Sequence, residues 1–87
     1  MTRNYLSGSI KKALVIIECV GKSHKPLKAS QVASMTNLDR ATAFRILTYL
    51  VSLGYIFKDN STNLYSLGHK IFDFGDKSDL SPKSNIL

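Results

Sequence analysis

The sequence predicts a mainly α domain with a small β-hairpin, arranged as a winged helix-turn-helix. Three observations carry that prediction. The stretch Leu38–Gly54 has the marks of a capped amphipathic helix. A shorter helical segment precedes it by a turn too tight for anything but two helices meeting at a corner. Directly after Gly54 the pattern switches to period two and reads as two strands around a polar turn.

The stretch 38–54 organises the rest. Asp39 is a good N-cap, since its carboxylate accepts hydrogen bonds from the open N–H groups of a first turn. Gly54 supplies the left-handed residue that commonly ends a helix. Between them Ala43, Ile46, Leu47 and Leu50 recur at helical spacing and define a buried stripe. The other face carries Arg40, Ala41, Thr42, Phe44, Arg45 and Thr48, with no acid beyond the cap. A helix apolar behind, and small, hydroxylic and basic in front, suits a DNA major groove. Taken alone, it reads equally well as a solvated surface helix, and the neighbouring segments decide between the two. Phe44 either packs on the preceding helix or lies against bases, and packing is the favoured reading.

Residues 1–6 read as a frayed terminus rather than an arm carrying Arg3 to a minor groove. A first helix is expected from Ser7 to Gly21, capped by Ser7 or Ser9. Ile10, Ala13, Leu14, Ile17 and Val20 form its expected buried stripe, while Val15, Ile16 and Cys19 lie off it. A helix apolar around so much of its circumference has a second side available to another subunit. Lys22–Lys28 reads as a loop containing Pro26, with Leu27 a lone core residue in a short extended piece. Ala29–Thr36 is the short second helix, with Val32, Ala33 and Met35 facing in. Ser30 and Gln31 occupy its first turn, where free N–H groups beside Lys28 make a phosphate site. Asn37 tolerates a left-handed backbone and turns the corner, which Leu38 plugs.

Tyr55–Lys58 and Asn63–Leu67 read as the strands of the wing, around the turn cluster Asp59–Thr62. Lys58 flanks the tip and suits contact with the DNA backbone or minor groove. Tyr55, Phe57 and Tyr65 have the spacing of a wing packed on a core. Ile71, Phe72 and Phe74 read as a helical start or an extended cap on that core. Residues 1–75 make one domain, and 76–87, rich in Ser, Asp and Lys with Pro82, read as a linker or disordered tail.

Composition narrows the function. The chain of 87 residues, 44% hydrophobic, allows one small core and no more. The net charge of +6 is uneven: residues 1–70 hold ten Lys/Arg against three acids, and residues 71–87 hold two against three. The basic charge therefore belongs to the folded part, which attracts a polyanion. There is no apolar run of membrane-spanning length and no amphipathic Lys/Arg helix with aromatic anchors, so double-stranded DNA ranks above a membrane as partner. The lone Cys19 forms no internal disulfide and reads as a packing residue. With no signal-peptide pattern, the cytoplasm is the expected compartment. His24 and His69 have no ligand partners at a metal spacing. Neither a cofactor nor an active site is expected.

Three segments together resemble the N-terminal domain of the IclR family of bacterial transcription regulators: SIKKALVIIE, LKASQVASMTNLDRATAFRILTYLVSLGYI and LYSLGHKIFDFG. The likeness covers about Gly8 to Gly75, and "Y-S-L-G" at the end of the wing fits this family better than other winged helices. The resemblance implies a homodimer on a palindrome-like operator, with the helix Arg40–Leu53 in the major groove. It implies reading by Arg40, Ala41, Thr42, Phe44 and Arg45, with Ser30, Gln31 and Lys58 near the backbone. Two departures stand out. The family usually has Gly where this sequence has Asn37, and its members continue into an effector-binding domain absent from these 87 residues. The alternative is a winged helix that binds proteins rather than DNA, which calls for a more apolar or acidic face on the third helix. RNA binding requires exposed aromatic residues on the strands.

Overall fold

The structure, a computed structural model, describes the backbone of residues 2–78 and the side-chain surroundings of residues 8–73. The elements run α1 (Thr2–Lys22), β1 (Leu27–Lys28), α2 (Ala29–Thr36), α3 (Arg40–Leu53), β2 (Ile56–Asp59), β3 (Leu64–Leu67) and α4 (His69–Ser78). Three helices pack on a small antiparallel sheet of order β1-β3-β2. The winged helix-turn-helix predicted from sequence is therefore the architecture found.

The two helix ends that frame α3 are built alike. The residue after α2, Asn37, adopts φ 62° and ψ 34°. Its N–H reaches the Ser34 carbonyl at 3.3 Å, and the Leu38 N–H reaches the Ala33 carbonyl at 3.0 Å. At the end of α3, Gly54 has φ 91°. Its N–H donates to Val51 O at 3.1 Å and Tyr55 N–H donates to Leu50 O at 3.0 Å. Both are Schellman closures, in which the left-handed residue turns the chain back and satisfies carbonyls left open at a helix end. In each case the next residue, Leu38 or Tyr55, packs against the core. The corner between α2 and α3 is thus fixed by backbone bonds and one apolar plug.

The core draws Ile16 and Val20 from α1, Leu27 from β1, Val32 from α2, Leu47 and Leu50 from α3, Ile56 from β2 and Tyr65 from β3. Ala43 lets α3 lie close, being fully buried with a single methyl. Each of the larger residues contributes about 1.5–3 kcal/mol by leaving water. Cys19 packs at the edge of this cluster, where burial raises its thiol pKa.

Several expectations are corrected. α1 begins at Thr2, not Ser7, so residues 2–6 are helical; no Pro interrupts them, and Ser7, Gly8 and Ser9 fall inside the helix. Its buried stripe is turned by nearly one residue: Ile16 is fully buried, whereas Ile10 and Leu14 are 59% and 55% exposed. Apolar residues cover two adjacent faces of α1, so periodicity alone did not choose between them. Met35 is 61% exposed, because an eight-residue helix buries only the Val32 and Ala33 edge. Leu27–Lys28 is a third strand, pairing with β3 through Leu27↔Tyr65 and Lys28↔Leu64. Two residues are too few to show a period. Asn63 is not in a strand; at φ 62° it closes the wing turn, with its N–H on Asp59 O at 2.7 Å. Phe57 is 56% exposed, since Ile56 is the inward residue and its neighbour must point out. α4 runs to Ser78, so residues 76–78 are helical, and residues 79–87 of the expected tail lie outside the described residues.

Candidate nucleic-acid interface

The start of α3 is fixed by its cap. The Asp39 carboxylate accepts from Thr42 N–H at 3.0 Å and from the Thr42 hydroxyl at 2.7 Å. Those bonds hold the Asp39 carboxyl below the usual aspartate range, with a small added effect from Arg45. The one acid in the reading stretch is therefore occupied by its own helix. Thr42 is half-buried and its hydroxyl proton is committed to Asp39, so it offers no free hydroxyl donor.

Along the exposed side of α3, Arg40, Ala41, Phe44, Arg45 and Thr48 are all solvent-facing. Phe44, for which packing on α2 was favoured, is 51% exposed. Phe44 stands one turn after Arg40, on the flank of the Ala43–Leu47–Leu50 stripe, where it borders Ala29 and Ser30 of α2 around a notch and leaves half its surface open. The structure thus sets it against solvent on the flank facing the wing.

Lys58 ties that flank to the wing. It shares the helix-facing side of β2 with Ile56 and stands opposite Tyr65. Its ammonium lies 5.9 Å from the Phe44 ring centre and 5.8 Å from the Tyr65 ring centre, within cation–π range of both. At the wing tip Asp59 accepts from Ser61 N–H at 2.9 Å and Ser61 Oγ at 2.7 Å, which holds its carboxyl low and consumes the Ser61 donor.

At the N-terminus of α2, the Gln31 side-chain carbonyl accepts from Lys28 N–H at 2.8 Å. Gln31, itself exposed, is thereby a capping residue of α2. Ser30, half-buried, joins Ala29, Arg40, Ala41 and Phe44 around a shallow notch between α2 and α3. A larger groove on the other flank brings Thr42, Arg45 and Thr48 together with Ile10, Tyr49 and Ser52. Of the nine residues singled out from sequence, seven line one feature or the other; Lys58 joins them through Phe44, and Gln31 lines neither. Tyr49 was missed. It is 65% exposed and stands one turn after Arg45, a spacing that a helical projection of the front face contains.

Among the described residues no group of three His, Cys, Asp or Glu is placed to hold a metal, and no helix is long and apolar enough to cross a membrane. The arrangement offers cationic side chains, a few open donors and carbon surface on one protruding helix and its wing.

Comparison with known proteins agrees with this geometry. The IclR helix-turn-helix domain matches residues 9–60. The p-hydroxybenzoate hydroxylase transcriptional activator of Acinetobacter baylyi is 33% identical over 73 residues, spanning 84% of this chain and 26% of that protein. The structure of an IclR family transcriptional regulator from Brucella abortus superposes with a TM-score of 0.70 at 28% identity, covering 77% of this chain and 25% of the other. HmgR of Pseudomonas aeruginosa gives a TM-score of 0.78 at 25% identity, covering 84% and 30%. The chain thus spans between a quarter and a third of the length of these relatives.

Proposed function

Because the chain belongs to the IclR family, as a DNA-binding helix-turn-helix domain of transcription regulators rather than an enzyme, we propose that it reads an inverted-repeat operator as a homodimer, with α3 in the major groove. The observation that carries this reading is the outward side of α3. Arg40 and Arg45 are exposed there, and the adjacent acid Asp39 is engaged by Thr42. Arg45 or Arg40 takes guanine O6 and N7, Thr42 and Ala41 offer methyl contacts, and Thr48 a hydroxyl. Lys58, Ser30 and Gln31 flank the helix at positions suited to phosphates, which fix register without specifying sequence.

The exposed Ile10 and Leu14 of α1 support the second copy, since two apolar side chains one turn apart form a seam that water disfavours. Two half-sites then double the phosphate contacts and steepen the salt dependence.

Selection of binding sites from random duplex DNA at two salt concentrations tests the proposal. An enriched inverted repeat, bound more weakly as salt rises, is the expected result. Binding without enrichment, or no binding at low salt, overturns it.

A further inference from the structure

Beside Arg40 the notch between α2 and α3 is walled by the methyl groups of Ala29 and Ala41 and by the Phe44 ring, with Ser30 the one small polar side chain. No acid lines it. Ala29, Ala41 and Phe44 give it a carbon wall, beside the donors of Arg40 and Ser30. In the major groove only one base edge displays an apolar group, the C5-methyl of thymine. Ala41 and Arg40 are adjacent and Phe44 stands one turn on, so the carbon surface and the guanidinium meet a duplex side by side. Lys58, over the same ring but outside the notch, brings positive charge to the neighbouring backbone.

We infer that this notch receives the C5-methyl of a thymine while Arg40 engages an adjacent guanine, so that α3 reads a thymine–guanine neighbour pair partly by its methyl group. The inference rests on α3 being the reading helix, and it adds a specific chemical group as the thing read. A 5-methylcytosine carries the same methyl at the same place and fits the notch equally.

The test uses the whole 87-residue chain and the duplexes recovered by selection from random DNA. Each thymine is replaced in turn by deoxyuridine, which removes the methyl and nothing else, and binding is followed by fluorescence anisotropy. One thymine per half-site, next to a guanine, is expected to weaken binding about three- to fivefold when so replaced, the effect of burying roughly one methyl group. In Phe44→Ala that position no longer distinguishes thymine from deoxyuridine, and in Arg40→Ala the neighbouring guanine is no longer preferred. Phe44 is half exposed, so an unchanged circular dichroism spectrum verifies that the variant is folded. Equal affinity for thymine and deoxyuridine at every position overturns the inference alone and assigns the notch to the sugar–phosphate backbone. Failure of the selection to enrich any sequence removes both the inference and the operator reading beneath it.

Discussion

Asp39 holds Thr42 twice, by its backbone N–H and by its hydroxyl, and so fixes the first turn of the helix that faces outward. Asp39→Ala is expected to lower the melting temperature by several degrees, because the first-turn donors lose their acceptor. The pH response follows the same bonds. The carboxyl is held below its ordinary value, so its contribution is complete above the unfolded aspartate pKa of about 3.9 and is lost as pH falls through the depressed native value. Thermal melts of the native chain and Asp39→Ala are therefore expected to differ at pH 7 and to converge towards pH 2 to the extent that Asp39 alone is responsible. A difference of unchanged size at low pH contradicts the assignment.

Arg45 is exposed on the outward side of α3. Arg45→Ala is expected to leave the melting temperature within a degree or two and to relax preference at one base position, by about 1–3 kcal/mol of discrimination. Repeating the site selection with the variant measures this directly. Unchanged preference removes Arg45 from the reading face.

Leu47 is fully buried on the inner stripe of α3. Leu47→Ala is expected to destabilise the domain by about 2–5 kcal/mol in urea unfolding, through lost transfer energy and the cavity left behind. In a domain this small that approaches the whole stability. A loss below about 1 kcal/mol argues that the site collapses and that α3 is not anchored as described.

Two glycines give opposite expectations. A Cβ on Gly8, inside α1, meets nothing within 4 Å, so Gly8→Ala is expected to stabilise by about 0.5–1 kcal/mol. A Cβ on Gly68 runs into the Gly54 carbonyl oxygen and lies 2.9 Å from the Tyr55 carbonyl carbon. Gly68→Ala is expected to lower the melting temperature well beyond any ordinary surface change. Equal effects of the two substitutions contradict the close approach of the wing to the end of α3.

The sequence was most legible where one residue type has one physical use. Asn37 and Gly54 both occupy the left-handed positions expected of them, and Asp39 caps α3 as its carboxylate allows. The "Y-S-L-G" signature also has a cause: Tyr65 is buried, and Gly68 is where the chain passes too close to α3 for any side chain. Legibility failed where several residues were chemically equivalent. In α1, Ile10, Leu14 and Ile16 satisfy the same hydrophobic rule, and only the position of the sheet and α3 decides that Ile16 goes in. Phe44 and Phe57 failed for a related reason: an aromatic residue serves core and surface alike, and both proved exposed. The contact of Lys58 with Phe44, fourteen residues apart and in different elements, has no local signal at all.

The join between wing and last helix has a mechanical meaning. β3 ends at Leu67 and α4 begins at His69, leaving Gly68 as the only connecting residue. Gly68 N–H is bonded to Tyr55 O at 2.8 Å and Lys70 N–H to Gly54 O at 3.1 Å, so the base of α4 is riveted to the very turn that ends α3. The placement of α4 is thereby bound to the placement of α3: the same two residues, Gly54 and Tyr55, close one helix and anchor the start of the other.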